Sequence, residues 1–543
     1  MLLTDLIAAL CSWPLAYYYT AYILTGPSVG SQGIRSIAWL IFAGLFFAAV
    51  ELFSHAYGKK PAKESFFWAA CWLLQSAAIL LYGFHGDPML AWQVLIWHLT
   101  AVYYVLSRTG VLASGRTSCL IFLDGLAGLF TLPWKNILLR LKSLFRWGSH
   151  RAQVRNRKTH VSAAIVISVL VTICISLFAW AQLSAADANF AGIAGSLSGL
   201  LQNWMQKLNA DTVIRLILSI PVGAWLFGLV AGSLKRNGTA PITEKQFAEG
   251  TAGARRVPPM AAAIPMVTLC AIYLLFFATQ ACEFLGKTGI GSMGHAVMTA
   301  PTASAFAVKG FWELCRILLL NLIVLVFCSF FSNGGLEKNR RLRLSAALLT
   351  VFGSAFAVLD MAKLYMYVHL YGYTMKRIVS GGFLILLLLF TILALLRIFF
   401  RFRAVPIAIF VSAACFTLLC VTNVEQCINA GNIARYRAGT DRTLDSGVLE
   451  ECGIDDSRMG LRNTEALVSS GWCKGRELWT LIPLWKYAEW TDASGKPAEF
   501  ASDQYSSRSG SVLLRTTIRG SILTLKFTDG FCTDAEMMPV SRP

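Results

Sequence analysis

The twenty residues from Gly381 to Phe400, GGFLILLLLFTILALLRIFF, hold one charged side chain, Arg397. About 20 such residues are what a helix needs to cross the ~30 Å hydrocarbon core of a bilayer. In that solvent each backbone N–H and C=O must find its partner inside the chain, and a helix meets the demand locally. Comparable runs recur near residues 5–25, 37–56, 66–84, 89–106, 161–183, 211–233, 259–283, 311–332, 344–370, 378–399 and 404–421. The pattern predicts an all-α polytopic membrane helix bundle of about eleven spans. Composition agrees, with 56% hydrophobic and 14% charged residues and a mean hydropathy of +0.58, outside the profile of soluble chains. The opening MLLTDLIAAL lacks a basic stretch and a small-residue cleavage pattern, so it reads as the start of the first span.

A net charge of +19 would suggest nucleic acid in a soluble protein. Its distribution argues against that partner. Residues 422–543 hold 14 Lys+Arg and 16 Asp+Glu, which leaves 34 basic and 13 acidic residues before them. The excess therefore lies in the membrane part, where Lys and Arg in short loops fix orientation by staying cytoplasmic. The connection 135–160, KNILLRLKSLFRWGSHRAQVRNRKTH, carries eight Lys or Arg and no acid and is the firmest cytoplasmic loop. Walking forward from it puts the loops at 235–256, 338–343 and 401–403 on the same side. Walking backward meets residues 117–134, TSCLIFLDGLAGLFTLPW, which would make a twelfth span. Asp124, the glycines and the short run favour a re-entrant or interfacial segment, which keeps Lys59, Lys60 and Lys63 and the amino terminus inside.

The chain then divides into N-terminal membrane helices (1–134), a basic cytoplasmic loop (135–160), a central helix bundle (161–421) and a soluble extracytoplasmic α+β domain (422–543). In that last part, SGSVLLRTTIRGSILTLKFTDGFCT reads as two strands about Arg519 and Gly520. Its four cysteines, Cys427, Cys452, Cys473 and Cys532, leave three disulfide pairings open, beside the alternative of four separate thiols. Two further segments are amphipathic: 190–209 for the outer surface, and ILLRLKSLFRW for the inner one with its basic face toward anionic headgroups. The bilayer is thus the first expected partner, and an envelope protein a second.

Polar residues inside the spans mark the candidate sites. On a helix running from Arg343 to about Leu370, Asp360, Lys363, Tyr367 and Tyr371 share one face. Asp360 and Lys363 at i and i+3 can neutralise each other, and such a stripe either lines a solute or ion path or forms a structural pair at the outer interface. In the second case Tyr365, Tyr367, Tyr371 and Tyr373 make an aromatic belt, and Lys376 and Arg377 meet headgroups. Glu51 and His55, at i and i+4, could relay protons or pair at a helix end. Glu313, Arg316 and Asn321, with Glu283 across a loop, could form a network inside the bundle. The spacing Gly289, Gly291, Gly294 sits between membrane helices and lacks the βαβ context of a nucleotide site. No metal-ligand spacing, nucleophile elbow or phosphate-binding loop is present, so no cofactor is expected.

LYGYTMKR (370–377) and GNIARYRAGTDRTLDSGVLEECG (431–453) resemble the closing region of a family of polytopic bacterial inner-membrane proteins classed only as a domain of unknown function. That family's Tyr-Gly-x-Thr-x-x-Arg run falls on Tyr371, Gly372, Thr374 and Arg377. Its Ile-Ala-x-Tyr-Asn run falls on Ile433, Ala434, Arg435 and Tyr436, with Arg437 where asparagine is usual. The resemblance implies a multi-pass protein of the bacterial inner (cytoplasmic) membrane and brings no activity with it. Two functions follow from the residues: permease-like passage of a solute or ion by Asp360 and Lys363, or an envelope scaffold or sensor that uses the carboxy-terminal domain. A membrane enzyme acting on lipid-linked substrates is a weaker third. A reporter active only outside the cytoplasm, fused after Gly431, is expected to be active while the same fusion after Gly148 is silent. Silence at both, with stable fusions, would put residues 422–543 inside.

Overall fold

The computed structural model describes residues 2–26, 36–85, 89–145, 210–236, 257–288, 300–333, 339–440, 460–485, 489–498, 511–518 and 520–539, with a few single positions between them. Helices dominate. They are α1 (Leu2–Tyr18, continued by a π-helical turn, Tyr19–Leu24), α2 (Ile37–Ala56), α3 (Lys63–Tyr82), α4 (Met89–Thr109), α5 (Ile121–Leu126), α6 (Leu132–Lys135) and α7 (Ala210–Lys235). Then come α8 (Pro259–Thr288), α9 (Ala300–Phe331), α10 (Arg340–Tyr371), α11 (Met375–Phe399), α12 (Ala404–Val421), α13 (Val424–Arg437), α14 (Gly460–Ser469) and α15 (Leu478–Leu481). Among the described residues nine helices are long and apolar enough to cross a membrane. Of the eleven expected spans, the first is α1 with its π turn and the one at 161–183 lies outside the described residues, as do the segment 190–209 and the glycines 289–294.

The chain forms two compact units: residues 1–83 with 93–244, and residues 84–92 with 245–543. In the first, α1 packs along α7, α2 along α3, and α6 on α7. The last contact is close because α7 has no side chains there. A Cβ on Gly228 would lie 2.9 Å from the Pro133 carbonyl oxygen, and one on Gly232 2.5 Å from Asn136 Nδ2. Small residues spaced by four let a backbone approach a membrane helix in this way. Residues 121–135, helical with a π turn at 127–131, rise only ~22 Å, short of the hydrocarbon core.

In the second unit α10 is the central helix, packed on α8, α9 and α11. A core of Met266, Tyr273, Leu314, Leu342, Leu349 and Phe356 holds these helices together. Along α11 and α12 few side chains are buried and most are apolar, as lipid-facing surfaces require. The carboxy-terminal domain has its own core, in which Trp472, Trp485, Trp490, Cys473 and Cys532 pack against one face of a sheet.

That sheet has three antiparallel strands where the sequence suggested two: β1 (Ser511–Ile518), β2 (Ser521–Thr528) and β3 (Phe531–Pro539), in the order β1-β2-β3. β3 escapes a hydrophobic-alternation reading because it contains Thr533, Asp534 and Glu536. The turn before it was the available signal. Asp529 and Gly530 have φ of 50° and 83°, which fits the Asp-Gly hairpin turn that matches strand twist. Leu514 faces Leu525 and Thr516 faces Leu523, so one face of β1 and β2 is buried.

Asp124 gives the first unit a pH dependence. Its side chain is 1% exposed, Oδ1 accepts a hydrogen bond from the Ala113 N–H at 2.9 Å, and Oδ2 has no partner. Burial pushes its carboxyl up to about 6. A raised folded value means that the protonated form is favoured: the contribution is complete below the ordinary carboxylate range and is lost as pH rises through about 6. Thermal unfolding of the full chain in nanodiscs is expected to show this unit weakening by about 1–3 kcal/mol between pH 4 and 7. Asp124→Asn is expected to flatten the profile; an unchanged slope would assign the pH dependence elsewhere.

Candidate functional site

The two stretches that carry the family resemblance, 61 positions apart from Leu370 to Gly431 in the chain, form one polar node in the second unit. α10 stops at Gly372, whose φ of 73° is the left-handed conformation that glycine adopts at helix ends. Its N–H still reaches the Val368 carbonyl at 2.8 Å. Thr374 then caps α11 by accepting the Arg377 N–H at 3.4 Å. Arg377 turns back across the corner and donates from Nη1 to the carbonyl oxygens of Tyr371 (2.7 Å) and Gly372 (2.6 Å). Its guanidinium also lies 4.2 Å from the centroid of the Tyr367 ring. The Tyr-Gly-x-Thr-x-x-Arg pattern is thus a helix stop, a helix start and a cation that satisfies the carbonyls between them.

The second stretch clamps that corner. Asn432, on α13, accepts the Tyr373 N–H with Oδ1 at 2.7 Å and donates Nδ2 to the Tyr373 carbonyl at 2.8 Å. Arg435 donates Nη2 to the His369 carbonyl at 2.5 Å. Gly431 lets the Tyr373 ring close in, since a Cβ there would meet the ring at 3.0 Å.

About two turns earlier on α13, Glu425 forms a buried pair with His85. Their side chains are 2% and 1% exposed, and His85 Nδ1 lies 2.8 and 2.9 Å from the two carboxylate oxygens. His85 Nε2 faces the Cys420 carbonyl at 3.3 Å. Both ring nitrogens therefore lie within hydrogen-bond distance of acceptor oxygens. Met89, Met375, Val424 and Ile428 close over the node, and in such surroundings loss of one partner of an ion pair costs about 3–5 kcal/mol.

The polar residues expected to share a face of α10 make two contacts along it. Asp360 is 8% exposed, Lys363 Nζ lies 3.6 Å from its Oδ1, and the rings of Tyr367 and Tyr371 are 5.2 Å apart. Among the described residues Asp360 Oδ2 has no hydrogen-bond partner. Arg377 meets backbone carbonyls and the Tyr367 ring. Of the polar group on α9, Asn321 is buried and accepts the Tyr273 hydroxyl at 2.7 Å, whereas Glu313 and Arg316 are exposed. The side chain of Glu283 lies outside the described residues.

Glu51 does not pair with His55, whose side chain is exposed. It takes Arg108 of α4 instead, with Nε at 2.8 Å and 2.9 Å from the two carboxylate oxygens. The Tyr104 hydroxyl donates to the same carboxylate at 2.8 Å, and Arg108 Nη1 donates to the Lys59 carbonyl. A guanidinium that spans both oxygens outcompetes an imidazole on the same helix. A second cluster in this unit joins α1, α2 and α7. Asp5 accepts the Tyr57 hydroxyl, and Lys235 Nζ lies 2.7 Å from Asp5 Oδ2.

In the carboxy-terminal domain Cys473 and Cys532 are buried in one core as free thiols. Burial pushes the Cys473 thiol up to about 12 and the Cys532 thiol up to about 11. Cys427 is an exposed thiol on α13, and Cys452 lies outside the described residues. Among the described residues no three His, Cys, Asp or Glu side chains converge where a metal ion could be held.

Sequence reading missed His85, Glu425, Asn432 and Arg108. A signal existed for the first two: each is an ionisable residue within a few positions of the end of an apolar run, where a partner is needed.

The sequence profile of a family described as a domain of unknown function (DUF4153) matches residues 66–458, more than two thirds of the chain and all of the node. No curated protein and no solved structure matches the chain.

Asn432→Ala removes an acceptor and a donor from Tyr373 and is expected to destabilise the second unit by about 1–3 kcal/mol. Asn432→Asp keeps the shape, loses the donor and is expected to cost a comparable amount. Chemical denaturation in detergent measures both; wild-type stability in either variant would show that the corner does not depend on the clamp.

Proposed function

The chain belongs to the DUF4153 family, and from that premise we propose that it is a membrane-anchored scaffold or sensor, in which the carboxy-terminal domain takes up a partner or signal on the envelope side of a bacterial inner membrane. The observation that carries this reading is the double attachment of α13. Its earlier turns supply Glu425 to His85 and Asn432 to the backbone of Tyr373. Its later part supplies Ile433 to the core of the carboxy-terminal domain, with Tyr436 packed against it. One short helix is thus a structural element of both the membrane corner and the domain. A load on the domain reaches the α10–α11 corner through the hydrogen bonds and buried charge of α13.

A second reading, passage of a solute or ion along α10, is favoured by Asp360. A half-satisfied carboxylate inside a membrane bundle is costly and marks a functional position more often than a structural one.

One set of chromosomal variants separates the two. Truncation after Arg437 and Asn432→Ala are each expected to reproduce the phenotype of complete gene deletion while the membrane part still accumulates. Asp360→Asn is expected to have no effect. The opposite pattern, a silent truncation with Asp360→Asn behaving as the deletion, would overturn the scaffold reading and support the solute path.

A further inference from the structure

We propose that the first unit contains a specific site for one anionic glycerophospholipid, with an acyl chain in a cavity of the bundle and the phosphate against Lys135 and Lys142. This inference rests on observations apart from the scaffold reading and goes beyond the general attraction of a basic loop to a charged membrane.

The cavity measures about 440 Å³ and lies among α1, α2, α4 and α7, lined by residues that include Phe42, Phe46, Trp97, Val102, Trp225 and Leu226. Its size falls in the range of ~300–1,000 Å³ that small-molecule sites occupy. The polar groups in its wall are spent on the protein. His98 Nδ1 is 2.7 Å from the Val94 carbonyl and so carries the proton, which leaves Nε2 to accept the Tyr19 hydroxyl at 2.8 Å. Trp97 Nε1 donates to Ser76 Oγ at 2.8 Å and Trp225 Nε1 to the Leu129 carbonyl at 3.2 Å. What these groups leave for an occupant is hydrocarbon and ring surface, which suits an acyl chain.

Two residues of that lining, Trp134 and Ile137, also line a second pocket of about 360 Å³. The second pocket is more polar and mixes the two chemistries. Lys135, Asn136 and Lys142 contribute to it, both lysines are exposed, and neither lining contains Asp or Glu. An apolar cavity adjoining a pocket with two ammonium groups and, among the described residues, no acid in its lining matches a ligand with one hydrocarbon end and one anionic end. Trp134 stands where the two pockets meet, the position an amphipathic ring takes at a headgroup boundary.

The segment is held in place. Pro133 and Asn136 rest on Gly228 and Gly232 of α7. Arg140 is buried, donates Nε to the Ala9 carbonyl at 3.3 Å and lies against Gly223. Lys135 and Lys142 are therefore presented by an anchored turn and helix, not by a free tail.

The test is native mass spectrometry of the full chain released from detergent with equimolar phosphatidylglycerol and phosphatidylcholine. One phosphatidylglycerol is expected to be retained, in preference to phosphatidylcholine by on the order of tenfold, because both lysines attract an anionic headgroup. Lys135→Gln with Lys142→Gln changes only exposed side chains and is expected to erase the preference; Lys135→Arg with Lys142→Arg is expected to keep it. Ala101→Phe, which fills the cavity, is expected to lower retention of both lipids. Equal retention of the two lipids by the wild type, or a preference that survives the glutamine pair, would overturn the site. Displacement of phosphatidylglycerol by an equal concentration of glycerol phosphate would overturn it too, because it would show a phosphate pocket without a chain site.

Discussion

A backbone group that loses its helical partner at the edge of a bilayer has little water to turn to, and each corner between membrane helices must supply a substitute from the chain itself. The α10–α11 corner does so with three devices. Gly372 lets the helix end without strain, Arg377 covers two of the carbonyls left behind, and Asn432 engages the peptide groups of Tyr373 from outside. The first two are local in sequence and the third comes from α13. That third device makes the corner depend on a helix belonging equally to the carboxy-terminal domain.

The same demand governs the buried charges. His85 with Glu425, Arg108 with Glu51 and Lys235 with Asp5 are all pairs between different elements. Each ties together segments whose apolar faces would pack about as well in several rotations. Hydrocarbon contacts are weakly directional, whereas a guanidinium spanning two carboxylate oxygens has one geometry. The polar minority of this chain therefore specifies how its apolar majority is arranged.

This division explains what the sequence reveals. Spans are legible because lipid imposes one length and one composition on all of them. The Asp360–Lys363 pair is legible because a three-residue step on one helix is a fixed distance. The Tyr-Gly-x-Thr-x-x-Arg run names its own turn chemistry. Illegible are the pairs between helices: His85 meets Glu425 across 340 positions, Arg108 meets Glu51 across 57 and Asn432 meets Tyr373 across 59. Periodicity along one helix carries no information about the rotation of its neighbour, so the sequence offered His55 to Glu51 while the bundle offered a better partner. β3 was obscured for a related reason. Its polar residues obey the exposed edge of a sheet and not a buried face, and only Asp529–Gly530 announced it.

The core of the carboxy-terminal domain joins Ile433, near the last membrane helix, to Ala535 in β3. Contacts separated by roughly a hundred residues form late, because the intervening chain must first give up its loop entropy. During synthesis the membrane helices are inserted one after another, while residues 433–535 wait as an unclosed chain. Tyr373 can receive Asn432 as soon as α13 emerges, but the core that Ile433 joins is complete only when β3 arrives. Biogenesis of this protein therefore has a natural checkpoint. A chain cut short before β3 can complete its membrane corner and still present Trp472, Trp485 and Trp490 unburied, which is the kind of surface that quality-control proteases and chaperones recognise.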